Sequence, residues 1–104
     1  MMVAAVEDAP FRRKAIHDLL RGAKRYHYAS LQDMNPVVAA RHNAYAVALI
    51  DALWGFTTEA EVKAVTGDSL KELRTDILSK QDALEGQAFE LLKSLKKSGV
   101  KLPF

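Results

Sequence analysis

The stretch Asn35–Phe56, NPVVAARHNAYAVALIDALWGF, is the most apolar in the chain and carries helix signals at both ends. Asparagine is a good N-cap, and Pro36 suits the first helical position, where a missing N–H costs nothing. Gly55 supplies a C-terminal signal about 20 residues later. On a helical wheel, Val38, Tyr45, Val47, Leu49, Ile50, Leu53 and Trp54 cover somewhat more than half the circumference. Ala40, Ala44, Ala48 and Ala52 cover the remainder, with Arg41 and Asp51 among them. An ordinary surface helix shows an apolar stripe roughly 100° wide. This one is wider, so it is expected to pack against several helices and to keep surface for a partner chain.

The alanine face can let another backbone come close. It reads better as good helix formers on a solvated side, because Arg41 and Asp51 lie within it. A membrane span needs about 20 mostly apolar residues, and Arg41, His42, Asn43 and Asp51 interrupt this run. His42 and Asn43 point to the apolar side near the helix start. They suit either a polar pocket or hydrogen bonds to a neighbouring backbone, and the second use is the commoner one.

Upstream, a first helix is expected from Asp8 to about Leu31, with Pro10 in its first turn. Ala15, Ile16, Leu19, Leu20, Ala23, Tyr26 and His27 share one face. Arg13, Lys14, His17, Asp18, Arg21, Lys24, Arg25 and Tyr28 share the other. A basic face with an aromatic among the charges can follow phosphates and stack a base, or meet an acidic protein or lipid surface. Arg13, His17, Arg21, Lys24, Arg25 and Tyr28 are therefore the candidate phosphate or nucleic-acid face, against the plainer reading of a solvated basic surface. His27 lies in register with Ile16, Leu20 and Ala23, where a lone histidine is more often a satisfied core residue than a ligand. His17 and His27 are separated by about 15 Å of helix rise. They cannot share a metal through one helix, and no metal or cofactor is expected.

Ser30–Met34 is a short polar connector, which makes the first two helices antiparallel neighbours. Beyond Gly55, Thr58 with Glu61 and Ser69 with Glu72 each match the capping-box pattern. The first opens a short helix with Val62 and Val65 as its apolar pair, ended by Gly67. The second opens a last helix from about Leu70 to Lys97, about 42 Å long. Its apolar stripe is narrow: Leu70, Leu73, Ile77, Leu84, Ala88, Leu91 and Leu95, broken by Gln81. Leu78 and Phe89 lie to one side of it. A helix-turn-helix reading of this region is not favoured, because Glu72, Asp76, Asp82 and Glu85 make the last helix acidic where it would enter a groove.

At 104 residues, with 49% hydrophobic and 27% charged, the chain suits one globular domain with a modest core. Residues 1–7 and 99–104 are expected as flexible or docking tails. The fold class expected is all-α: an antiparallel helical bundle of three main helices plus one short connecting helix. A net charge of +2 is too small to name a partner by itself. There is no cysteine, which excludes disulfides and thiolate chemistry. The opening MMVAAVEDAP lacks a basic n-region and does not read as a signal peptide, so a cytoplasmic location is expected. No phosphate loop, dinucleotide fingerprint, H-E-x-x-H or nucleophile elbow is present.

The function expected is a non-enzymatic interaction or structural protein, homo-oligomeric through Tyr45, Leu49, Leu53 and Trp54 of the second helix and Leu78, Phe89 and Leu92 of the last. The first alternative is a nucleic-acid- or phosphate-binding module using the basic face. The second is a small-ligand pocket around His27, His42, Asn43 and Tyr45.

Overall fold

The computed structural model describes the backbone of residues 2–99 and the side chains of residues 10–99. Four helices make up this region: α1 (Met2–Gln32), α2 (Pro36–Phe56), α3 (Glu59–Thr66) and α4 (Leu70–Lys97). The molecule is an all-α antiparallel bundle of three main helices and one short one. It is elongated, 64 × 24 × 18 Å.

The capping chemistry sets most helix ends. The Asn35 side-chain oxygen accepts from the Val37 N–H at 2.8 Å and from Val38 at 3.4 Å, opening α2. Thr58 accepts from the Glu61 N–H at 3.1 Å and opens α3. Ser69 accepts from Glu72 at 3.2 Å and opens α4. Gly67 closes α3 at φ 80°, where a side chain would be strained.

Two ends differ from the sequence reading. Gly55 does not stop α2. The helix runs through it to Phe56 and is closed by Thr57, whose N–H and hydroxyl both bond the Leu53 carbonyl, at 3.0 and 2.6 Å. The backbone of α1 begins at Met2 rather than Asp8, so residues 2–7 continue the helix and Pro10 lies inside it. The proline loses one intrahelical bond there. Residues 100–104 of the expected C-terminal tail lie outside the described residues.

Helix α2 is the hub, with α1 and α4 both packing on it. Its inner edge is narrow: Ala39, Asn43, Ala46, Ile50 and Leu53 are buried, at the alternating three- and four-residue spacing of a helix seam. Against it lie Ile16, Leu20 and Ala23 of α1, Val62 of α3, and Leu70, Ile77 and Leu84 of α4. The small residues Ala23, Ala39 and Ala46 bring the axes together. Gly22 does so most strongly, since a Cβ there would lie 2.9 Å from Leu49 Cδ1. Ala44, Ala48 and Ala52 are exposed, as expected for helix formers on a solvated side.

The short helix α3 buries Val62 and is otherwise pinned by charge. Arg12 of α1 binds the Glu61 carboxylate and the Phe56 carbonyl. Glu59 accepts from the Lys71 backbone N–H at 2.7 Å. Lys24 reaches Asp68 at 2.6 Å in the link between α3 and α4.

Two outcomes follow from this packing. Replacing Ile50 by alanine should cost about 2–5 kcal/mol, because its site is closed on every side. A fall in the urea midpoint at unchanged slope would register it. The second outcome concerns acid. The hydrogen bond from Arg12 holds the Glu61 carboxyl below its ordinary 4.5. Bonds from Ser69 and the Lys71 N–H lower Glu59 likewise. A lowered carboxylate stabilises the fold above its unfolded-state value, and that contribution disappears as pH falls through the folded-state value. The contribution of the α3 contacts should therefore be constant near neutrality and be lost below about pH 4.5. Glu61→Gln should flatten that acid limb in a pH series of thermal melts.

Candidate functional site

The most constrained polar group in the chain is Asn43, which is completely buried. Its amide ties three helices. The oxygen sits 2.8 Å from His27 Nδ1 on α1, so the histidine proton is on Nδ1 and is donated. The nitrogen donates to the Ile77 carbonyl at 2.9 Å and to Gln81 Oε1 at 3.0 Å, both on α4. Gln81 in turn donates to Glu85 Oε1 at 3.0 Å. Ser30 donates to the His27 carbonyl. Among the described residues no buried side-chain nitrogen or oxygen lacks a partner.

This satisfied network settles where the four expected pocket residues go. His27 and Asn43 are bonded to one another within the core. His42 turns away to bond Asp33 at 2.6 Å, at the link between α1 and α2. Tyr45 lies on the outside, its ring 5.2 Å from that of Tyr26 and its hydroxyl accepting from Arg41 at 3.3 Å. The four residues do not converge on one space. Gln81, which breaks the α4 stripe in the sequence, does so because Asn43 needs it there.

The basic face of α1 is laid out along the surface. Arg13, His17, Arg21, Arg25 and Tyr28 are exposed. Lys24 is half-buried and held by Asp68. Lys14 is paired with Asp18 one turn on, at 2.7 Å. Arg13, Arg21 and Arg25 form no ion pair among the described residues. His17, Arg21, Lys24, Thr66 and Asp68 line an open groove of about 220 Å³ beside this row. Its aspartate opposes an anion there.

The expected interface residues separate into three groups. Leu53 is corrected: it is 0% exposed and belongs to the core, leaving nothing for a partner. The α2 stripe looked wide because inner and outer apolar residues were counted together, and the inner edge alone takes Leu53. Tyr45 and Trp54 are exposed, but each is partly covered within the chain. Tyr26 lies against the first, and the Arg74 guanidinium sits 4.6 Å over the ring of the second. Leu49, Leu78 and Leu92 are half-buried, and Phe89 is 63% exposed.

The register of Asn43 exposes a surface that residue counting could not place. Since Asn43 lies opposite Ile77 and Gln81, the start of α2 at Pro36 lies level with about residue 86 of α4. Helix α1 ends near the same level, because His27 lies beside Asn43. Leu84 is the last buried residue of α4. From Gln87 to Lys97, about 16 Å, α4 runs past both neighbours. Ala88, Leu91, Leu92 and Leu95 continue the apolar stripe along that projection and stay only half-covered. At the bundle end beside it, Leu31 is exposed and Met34 is 99% exposed. The sequence showed the continuous stripe; the length of it left uncovered depended on which α4 residues meet Asn43.

Among the described residues no helix is long and apolar enough to cross a membrane, and no three histidine, aspartate or glutamate side chains gather where they could hold a metal ion. No family model, curated protein or solved structure matches this chain.

Asn43→Ala should lower stability by about 1–3 kcal/mol, because it removes the acceptor of the buried His27 Nδ1–H and the side-chain tie to α4. Asn43→Leu should fail to restore it, although leucine packs well, since the buried His27 Nδ1–H stays without its acceptor. Urea denaturation of both variants checks this.

Proposed function

We propose that the chain is a non-enzymatic helical interaction protein that works in the cytoplasm as an assembly of its own copies. The observation that carries this is the apolar surface left after the core has closed. It runs along the projecting half of α4 through Leu91, Leu92 and Leu95, with Phe89 beside it. It continues at the bundle end with Leu31 and Met34. Exposed apolar surface grouped in this way marks association sites, and closed symmetric assembly of identical chains is the common way to cover it. The polar groups near the core support a structural role. Asn43 is bonded to His27 and to α4, and Ser30 and Ser69 serve as hydrogen-bonding and capping groups. Solution mass by light scattering, over a hundredfold range of concentration, should rise toward twice the chain mass or beyond. A constant monomer mass throughout would defeat the reading.

A second reading rests on the row Arg13, His17, Arg21, Arg25 and Tyr28, which is exposed over about 22 Å of α1. Phosphates spaced along a nucleic acid suit such a row, and Tyr28 offers a face for stacking. The discriminating variant is Arg21→Glu with Arg25→Glu. Lys24 is unsuitable, because reversing it would also break the contact with Asp68. Under this reading, binding to a short single strand weakens steeply with salt and is lost in the variant. Under the first, no such binding is seen and the mass of the variant equals that of the parent.

A further inference from the structure

We propose that the outward row of α1 binds one unpaired strand of nucleic acid over about four nucleotides, with phosphates on Arg13, Arg21 and Arg25 and bases on the side of the row that faces α4. The inference rests on the phosphate-binding reading above and names the form of the ligand.

Guanidinium chemistry is the first argument. Arg12 is held by Glu61 and the Phe56 carbonyl. Arg41 donates to the Tyr45 hydroxyl, and Arg74 lies against Asp51 and the face of Trp54. The other three arginines, Arg13, Arg21 and Arg25, have no such partner among the described residues, and all three are exposed on this row. A guanidinium is a planar fork of donors that fits phosphate oxygens. Together with His17, these arginines stand at every fourth residue, so successive donors rise by about 6 Å. That step is close to the distance between neighbouring phosphates of a strand. The row turns by about 40° at each step and crosses the outer side of α1 diagonally.

The width of the row is the second argument. Its free cations form a single line, and acids lie on both flanks. On the flank away from α4, the bond from Lys14 holds the Asp18 carboxyl below the usual carboxylate range, and Arg21 and His17 lie close enough to add to it. On the flank toward α4, Asp68 takes Lys24 at 2.6 Å. One line of phosphates fits between these carboxylates. The second strand of a duplex would be set against one of them.

The surface beside the row is the third argument. Between α1 and the link from α3 to α4, His17, Leu20, Arg21, Lys24, Thr66 and Asp68 line the groove of about 220 Å³. Its carboxylate turns a phosphate away, whereas the edge of a base carries N–H donors that meet it. Tyr28 follows on the same side of Arg25, exposed, two turns beyond Arg21. Its ring offers a stacking face to any base. Groove and ring lie about 12 Å apart along α1, from Leu20 to Tyr28, which is two steps of the strand. Cations on the outer edge and base seats on the inner edge match the two sides of a single strand. A duplex keeps its bases within the stack and offers neither seat a ring.

Fluorescence anisotropy of the full chain with a short labelled strand, alone and annealed to its complement, tests the proposal. Attraction between charges alone favours the duplex, whose phosphates are denser. The proposal expects the reverse, with the single strand bound several-fold more tightly at equal salt. Three phosphate contacts should give a slope of about −2 in log K against log salt. Arg13→Ala, Arg21→Ala and Arg25→Ala should each make that slope shallower by about 0.7. Tyr28→Ala should weaken binding about tenfold at unchanged slope, and Tyr28→Phe should keep the parent affinity. All four positions are exposed, so the urea midpoint of each variant should match the parent. Affinity for thymidine strands should rise steeply up to about four nucleotides and slowly beyond. A duplex bound as tightly as the strand would overturn the proposal and leave nucleic-acid binding standing. Equal binding of inorganic polyphosphate would show charge attraction without base seats, and tighter binding of anionic vesicles would show a lipid surface; either overturns it. Binding that survives Arg21→Glu with Arg25→Glu would put the site elsewhere. No binding of strand or duplex at low salt would overturn this proposal and the phosphate-binding reading together, and would leave self-assembly untouched.

Discussion

Asn43 fixes the relation of three helices to one another, and nearly everything else in the bundle follows from that. A leucine at its position could slide by a turn and still find apolar contacts. An amide that must meet His27 on one side, and the Ile77 carbonyl and Gln81 on the other, cannot. Sliding α4 by one turn would separate the buried Asn43 nitrogen from Gln81 and the Ile77 carbonyl, at about 1–3 kcal/mol. That is a large fraction of the stability of a domain this size. The polar centre gives less energy than an apolar one of the same volume would, but it singles out one register.

That specificity matters because the apolar core is thin. Its inner edge on α2 is small in the first half, with Ala39 and Ala46 flanking Asn43, and large only toward the end, with Ile50 and Leu53. Close approach compensates for small volume, and Gly22 against Leu49 shows how close α1 and α2 come. Helix α3 contributes Val62 to the core and depends for its place on Arg12, Lys24 and the amide of Lys71. The contacts to Arg12 and Lys24 are partly exposed ion pairs, individually weak and screened by salt. The α3 end of the bundle should therefore open before the Asn43 end.

The all-α class, the four helices and the caps at Asn35, Thr58 and Ser69 were legible in the sequence, because each rests on local chemistry. The same holds for His27 and Asn43 as satisfied core residues and for the exposed alanine face of α2. Three features were not legible, for separate reasons. Gly55 looked like a stop, but it keeps helical backbone, and Thr57 closes the helix two residues on by bonding the Leu53 carbonyl with both its N–H and its hydroxyl. Leu53 looked like interface, because a helical wheel shows which side is apolar without showing how much of it the neighbours take. The projection of α4 required a register, and register is a property of pairs of helices. Gln81 was the available clue: a polar residue in a narrow apolar stripe asks for a buried polar partner opposite, and Asn43 was the candidate on α2.

The same register keeps the two candidate surfaces apart. With His27 beside Asn43 and Asn43 beside Ile77 and Gln81, Tyr28 of the basic row lies level with about Lys80 of α4. Arg13, at the other end of the row, lies level with α3. The whole row therefore sits beside the closed part of the bundle, and the leucines of the projection begin beyond it. Self-association through α4 would leave Arg21 and Arg25 uncovered on each copy. It would join two such rows in one particle related by a two-fold axis. Two weak electrostatic contacts held at fixed separation bind a long anion far better than either alone. Assembly and phosphate binding are thus compatible in this fold, and the first would strengthen the second without adding a contact to it.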